Sequence, residues 1–237
     1  MIHTRAFTGI ILWLGLALPA LATVPTVVQT VNGTASGSPV SVSITATINN
    51  LLIIQIIAKG GDTSCSAVTV GGTAATKITD ATTNQEAPRA EAWYYYVTSG
   101  SSQSVSATLG GSPTEMRIGV TELSGMVASS PVDVTGSRFY QSSASPTVSM
   151  TTTVTDTLLF GIICHKSTSI TWGGSQTERW IYSGQGGGST KSAASSGSQT
   201  MSGTIDTANW TAMIAFAIKP LVGGAARQSL TLMGIGE

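Results

Sequence analysis

Apolar and polar positions along the chain fall into short stretches separated by Gly, Asn, Ser and Pro. The densest apolar stretch is residues 51–58, LLIIQIIA, set between Asn49-Asn50 and Lys59-Gly60-Gly61. It is too short for an ordinary helix, rich in β-branched Ile and bounded by turn residues, so it predicts a strand buried on both faces. It also falls well short of the roughly 20 apolar residues that a membrane helix needs. Residues 24–31 and 40–48 alternate apolar with Ser or Thr, which predicts half-exposed strands, with turns at Asn32-Gly33 and residues 36–39. Further along, the pattern predicts a hairpin at VTVGG, a polar loop over 80–89, an aromatic strand over 92–97 and a Ser-rich turn over 99–104. A strand over 116–123, a long connection over 129–146 and a strand over 148–154 come next. Residues 184–198 are Gly/Ser-rich and mobile unless docked, and a last strand over 212–219 is stopped by Pro220.

The apolar pattern occurs twice. TLLFGIICHK at 157–166 repeats NLLIIQIIAK at 50–59, and ITWGGSQTER at 170–179 answers VTVGGTAATK at 68–77. SQTMSGTI at 198–205 matches SQSVSATL at 102–109, and continuing without a gap sets Ile214 against Ile118 and Ile218 against Glu122. Strand, turn, strand, Ser/Gly-rich connection, strand, strand is the order of antiparallel β structure rather than of βαβ units. The expectation is an all-β, jelly-roll-like antiparallel β-sandwich built from an internal duplication. Its two pseudo-repeats span about 40–125 and 148–220 within a sandwich over 23–220.

Composition changes the picture in two ways. Apolar residues make up 41% of the 237, enough for a core, while only 9% are charged, against a typical quarter. Ser, Thr and Gly therefore supply the surface. At the amino terminus, Arg5, the apolar run 10–18 and Ala20-Leu21-Ala22 form the three parts of a signal peptide over 1–22. The expected compartment is secreted/extracellular or periplasmic, with no membrane span after cleavage. Removing 1–22 takes away Arg5 alone and leaves 10 basic against 11 acidic side chains. With no basic excess, electrostatic nucleic-acid binding has little to draw on. The tail over 221–237 contains residues 229–235, SLTLMGI, which could pair as an added strand in self-association.

Candidate chemistry is sparse. His165 is the histidine left after signal removal, so His-rich metal sites are not expected, and no G-x-S-x-G elbow supports a triad of His165, Asp156 and a serine. Glu91, Glu115 and Glu122 lie on neighbouring segments, but an odd separation puts Glu115 and Glu122 on opposite faces of a regular strand. Asp62, Asp80, Asp133 and Asp206 lack Ca²⁺-loop spacing. No catalytic residue, metal or cofactor is expected. Cys65 and Cys164 admit two readings in an oxidising compartment: a disulfide joining the halves, or a small buried hydrophobe and a free thiol.

The aromatic strand is the better candidate. Trp93 and Tyr95 point to one face, Tyr94 and Tyr96 to the other, and the counterpart in the second half is STKSA at 189–193. The fold thus does not require aromatics there. Trp93, Tyr94, Tyr95 and Tyr96, with Trp180 and Tyr182 in the second half, are the candidate ligand-binding residues, suited to a glycan or a cell-surface partner.

Val70-Gly71-Gly72, Glu122, Ser124-Gly125, Pro131-Val132-Asp133 and residues 215–220, AFAIKP, resemble the turn and core motifs of an uncharacterised Ser/Thr-rich β-sandwich domain of secreted bacterial and phage-associated proteins. The resemblance covers most of the mature chain. It implies a fold and carries no chemistry. The functional expectation is an exported structural or adhesion protein acting by self-assembly or surface binding. A lectin-like carbohydrate-binding module is the alternative, and a polysaccharide-degrading enzyme comes third.

Overall fold

A computed structural model describes residues 22–60, 64–81, 88–111, 113–166 and 169–222. Most of the expected signal segment, residues 1–21, together with Asp62 and the tail beyond Val222, lies outside the described residues. The protein is all-β. Its first half comprises β1 (Thr26–Ala35), β2 (Val40–Thr45), β3 (Leu51–Lys59), β4 (Cys65–Val70), β5 (Thr73–Ala74), β6 (Thr76–Ala81), β7 (Arg89–Tyr96), β8 (Ser102–Leu109) and β9 (Glu115–Ser124). The second comprises β10 (Val132–Ser143), β11 (Thr147–Thr152), β12 (Thr157–His165), β13 (Ile170–Trp172), β14 (Thr177–Tyr182), β15 (Gly186–Ala193), β16 (Gly197–Ile205) and β17 (Asn209–Ile218).

Each half is its own two-sheet sandwich. In the first, the sheet β1-β9-β3-β7-β6 faces β2-β8-β4-β5; in the second, β10-β17-β12-β15-β14 faces β11-β16-β13. Apart from β5, which has no counterpart in the second half, the strand order is the same, and every ladder is antiparallel. The two five-stranded sheets pack against each other, with β1 near β14 and β6 near β10. Exchanging the halves interchanges those two contacts, the relation that a two-fold axis produces.

β3 and β12 show why four layers form. Leu52, Ile54, Ile56 and Ala58 enter the core of the first sandwich, while Leu51, Ile53 and Ile57 enter the core between the sandwiches. On β12, Leu159 and Ile163 face the second sandwich's core, while Leu158, Phe160, Ile162 and Cys164 face the middle one. Each fully buried Leu or Ile contributes roughly 1.5–3 kcal/mol, so leaving either face in water would forfeit much of the folding energy. In the middle core Phe160 and Phe216 stack with centroids 5.1 Å apart.

Four sequence expectations need correction. Asn32-Gly33 is not a turn: β1 runs through it, paired to β9, and a side chain on Gly33 would overlap the Ser41 carbonyl of β2. Asp80 and Arg89 belong to β6 and β7, so the polar loop is shorter than 80–89. The supposed connection over 129–146 holds β10, an edge strand whose exposed side needs no apolar pattern. Residues 186–193 are neither loose nor exposed. They form β15, paired on both sides and buried for most of its length.

Glycines make β15 possible. The Trp180 indole lies over Gly119 of β9 and Gly188 of β15, and its Nε1 donates to Gln55 Oε1 at 2.6 Å. Gln55 is the polar residue of β3 that faces the middle core, and Trp180 supplies its hydrogen bond there. A methyl on Gly119 would overlap that ring. We expect Gly119→Ala to lower unfolding free energy by about 1–3 kcal/mol, by driving Trp180 off its rotamer and off Gln55. Urea unfolding followed by Trp fluorescence measures it; an unchanged midpoint would show that this contact does not hold the halves together.

Candidate functional site

The aromatic strand β7 lies in the five-stranded sheet of the first half between β3 and β6, so both of its edges are paired. Trp93 and Tyr95 pack on the first sandwich's core, Tyr94 and Tyr96 on the middle core, and all four are half-buried. The expectation that one face exposes two rings unless covered resolves in favour of cover, by the second sandwich. The Trp93 indole N–H donates to Glu91 Oε2 at 3.1 Å, and Tyr96 donates to Asn49 Oδ1 at 3.2 Å. Trp180 is 3% exposed and engaged with Gln55, which removes it from the candidate ligand-binding residues. Tyr182 donates to Asn32 Oδ1 at 2.9 Å beneath the Arg117 guanidinium, tying the halves together.

Tyr95 differs from the others. It lines an open cleft of about 330 Å³ together with Val70, Gly71, Thr73, Gln103 and the hydroxyl-rich turn from Thr98 to Ser104. The register supports the comparison with STKSA: Tyr95 stands opposite Leu52, and Lys191 stands opposite Leu159.

The carboxylates do separate structural work. Glu91 is fully buried, accepting from Arg89 Nη1 at 2.7 Å and the Cys65 amide at 3.0 Å. Glu115 sits at the other end of β9 from Glu122, near Lys59 at 4.0 Å and accepting from Gln185 Nε2. Glu122 is buried beneath the loop between β2 and β3, where Oε1 accepts from the Thr47 amide at 2.7 Å and Asn50 Nδ2 at 2.6 Å, and Oε2 from Gln29 Nε2. The register makes its counterpart Ala217 rather than Ile218, because Glu122 faces Leu52 and Ala217 faces Leu159.

Among the described residues no group of three His, Cys, Asp or Glu side chains is placed to hold a metal ion. Asp80 pairs with Lys77 at 3.1 Å, Asp133 accepts from the Thr153 amide at 2.7 Å and Asp206 from the Ser169 amide at 3.3 Å. His165 ends β12, whereas Asp156 precedes its first residue, so the strand's whole length separates them. Among the described residues no helix is long and apolar enough to cross a membrane.

The cysteines are not bridged. Cys65 lies in the first sandwich's core and Cys164 in the middle core, on opposite sides of the five-stranded sheet of the first half. Cys164 Sγ instead donates to the Ala58 carbonyl at 3.5 Å. Burial pushes both thiols up, Cys164 to about 12 and Cys65 further still with the Glu91 carboxylate beside it.

A second aromatic surface escaped the sequence reading. Trp210, 41% exposed, meets Phe139 edge-on at 6.3 Å and lies under the Lys166 ammonium, while Arg138 covers Tyr140. The alternation in Asn209-Trp210-Thr211 would have placed Trp210 outward, but its ring partners come from β10, which the polar pattern concealed.

No protein-family model, characterised protein or solved structure matches the chain.

Glu122 makes a pH-dependent contribution. Burial raises its pKa, but the hydrogen bonds from Gln29, Thr47 and Asn50 together outweigh burial and hold it below the usual value. A carboxylate depressed in the folded state stabilises at neutral pH and loses that contribution as pH falls through its folded pKa. Glu122→Gln turns one acceptor into a donor facing donors. We expect a loss of about 1–3 kcal/mol at pH 7 that shrinks as acid protonates the wild-type carboxylate; urea titrations at neutral and acidic pH measure it, and an equal loss at each would refute the ionised clamp. For the thiols, we expect neither cysteine to react with a maleimide at pH 8 in the folded chain and both to react in urea. Intact mass after labelling reads the count, and fast labelling of the folded protein would contradict their burial.

Proposed function

We propose that this is an exported, non-catalytic adhesion protein of structural type that attaches to neutral hydroxylated surfaces through the two outer faces of its four-layer stack. Its halves are read as a tandem duplication of one jelly-roll-like sandwich, in keeping with the Ser/Thr-rich secreted domain that the turn motifs resemble. Export rests on the Arg5, apolar-run and Ala20-Leu21-Ala22 pattern of the amino terminus.

The observation that carries the reading is the composition of the outer faces. Ser41, Ser43 and Thr45 of β2 stand directly opposite Ser106, Ser104 and Ser102 of β8. Thr147, Ser149 and Thr151 of β11 stand opposite Ser202, Thr200 and Ser198 of β16. Their neighbours Val40, Ile44, Val148 and Met150 point inward, so these hydroxyls form cross-strand ranks on both ends of the stack. Ser149 and Thr200 share a hydrogen bond of 2.9 Å. Rank spacing is set by the sheet, about 4.8 Å between strands and about 6.8 Å between alternate residues. Each hydroxyl donates and accepts, so such a face matches a repetitive polyol surface and gains nothing from charge.

Retention on insoluble cellulose and chitin tests this. We expect the chain to be retained at about 1 M salt, where ion pairing is screened, and the double variant Ser43→Arg, Thr200→Arg to be released. Failure of the wild-type chain to bind, or retention untouched by the double variant, would sink the reading. A light-scattering mass above one chain that falls in the same variant would transfer the faces to self-association.

A further inference from the structure

The cleft beside Tyr95 lies where the two sheets of the first sandwich run out. Tyr95 comes from the inner face of one sheet, Val70 and Gln103 from the other, and the turn from Thr98 to Ser101 with the start of β8 forms the rim. Gln103 Nε2 donates to the Ser99 carbonyl at 3.0 Å, which braces the turn. Its Oε1, beside Gly71, accepts no hydrogen bond within the protein. Gly71 and Gly72 hold positive φ in the β4–β5 turn, so that turn adds no side chains to this wall. Ser99 and Ser101 bond each other at 3.1 Å and otherwise face water.

The second half shows which of these features the fold itself requires. There Gln199 Nε2 donates to the Ser195 carbonyl at 3.2 Å, so the glutamine brace is common to both turns. The aromatic wall is not, because Lys191 occupies the register position of Tyr95. What sets the first half apart is therefore an aromatic ring placed opposite an amide and a rank of hydroxyls. No ionised side chain lines the cleft. Its volume is at the lower end of the range of about 300–1,000 Å³ typical of ligand pockets. Those pockets are mostly apolar; this one is hydroxyl-lined, which selects a ligand rich in donors and acceptors with an apolar ring face.

We propose that the cleft between Tyr95 and Gln103 binds a neutral saccharide, one pyranose ring lying against Tyr95 with its hydroxyls held by Gln103, Ser99 and Ser101. This goes beyond the adhesive faces and does not depend on them, since Tyr95, Gln103, Ser99 and Ser101 belong to neither rank.

The test is an amide NMR titration of the full chain with glucose, galactose, mannose and N-acetylglucosamine, and with glucuronate as the charged comparison. We expect saturable shifts confined to residues 70–73 and 95–104 with at least one neutral sugar, at a dissociation constant of about 1–10 mM. Tyr95→Ala should weaken binding about tenfold. Because Tyr95 also touches the core, the exposed substitution Ser101→Trp carries the test if that variant unfolds: it should fill the opening and abolish the shifts while the remaining spectrum stays native. Lys191→Ala should change nothing. No saturable shift up to about 100 mM neutral sugar, shifts that survive Ser101→Trp, or a preference for glucuronate would overturn the proposal.

Discussion

A strand that is apolar on both faces cannot sit at a protein surface, and β3 and β12 are such strands. Each pairs on both edges, β3 with β7 and β9, β12 with β15 and β17, so hydrogen bonding is complete within its sheet. What remains is to cover two apolar faces per sheet. A four- or three-stranded partner sheet covers one face, and the other five-stranded sheet covers the second. The middle core is thus shared property: Leu51, Ile53 and Ile57 would be exposed in an isolated first half, and Phe160, Ile162 and Phe216 in an isolated second. The same burial that stabilises each sandwich therefore binds the two together.

Sharing one core between halves of like strand order does not make them identical. Phe160 and Phe216 stack in the second half's sheet, whereas the first presents Ile53 and Thr121 at the corresponding ladder position. Trp180 crosses to Gln55, and Lys59 reaches back to the Gly184 carbonyl. A polar residue at the centre of an apolar interface costs stability unless it is bonded, but once bonded it admits one register. Gln55 and Trp180 play that part here. Removing side chains at Gly119 and Gly188 gives the indole its seat, so glycine in β9 and β15 records packing across the interface rather than flexibility.

How much of this was legible in the chain depended on whether the signal was local. The buried strands, the repeat and the Ser/Thr alternation were, because period and length reflect burial directly. β10 was not: an edge strand with one exposed side, VDVTGSRFYQSS, has no apolar run to betray it. β15 was misleading, since GGGST reads as a linker until Trp180 and Gln55 are seen to occupy the space that its side chains would take. The counterpart of Glu122 was missed by a single residue, and a slip of one in a strand changes the face. At the candidate site, the aromatic run itself was plain in the sequence. That its two faces meet two different cores, and that Tyr95 reaches an open cleft, depends on the neighbouring sheets and on the β4–β5 turn that lies elsewhere in the chain.

The stack also fixes where recognition can take place. Three of the chain's interlayer spaces are filled with side chains, and the inner sheets show solvent little beyond their edges and strand ends. Buried carboxylates follow the same economy, Glu91 holding Arg89 and the Cys65 amide, Glu122 holding the loop over it. Besides the Trp210–Phe139 patch, surface of two kinds remains: broad, uncharged hydroxyl ranks on the outer sheets, and small openings where paired sheets run out. The first offers repetition without selectivity, since neighbouring hydroxyls are interchangeable. The second offers selectivity over a small area, because an aromatic ring, an amide and a braced turn have fixed relative positions. A protein with few charges has to discriminate by shape and hydrogen-bond direction, and in the first sandwich the mouth beside Tyr95 brings both to one place.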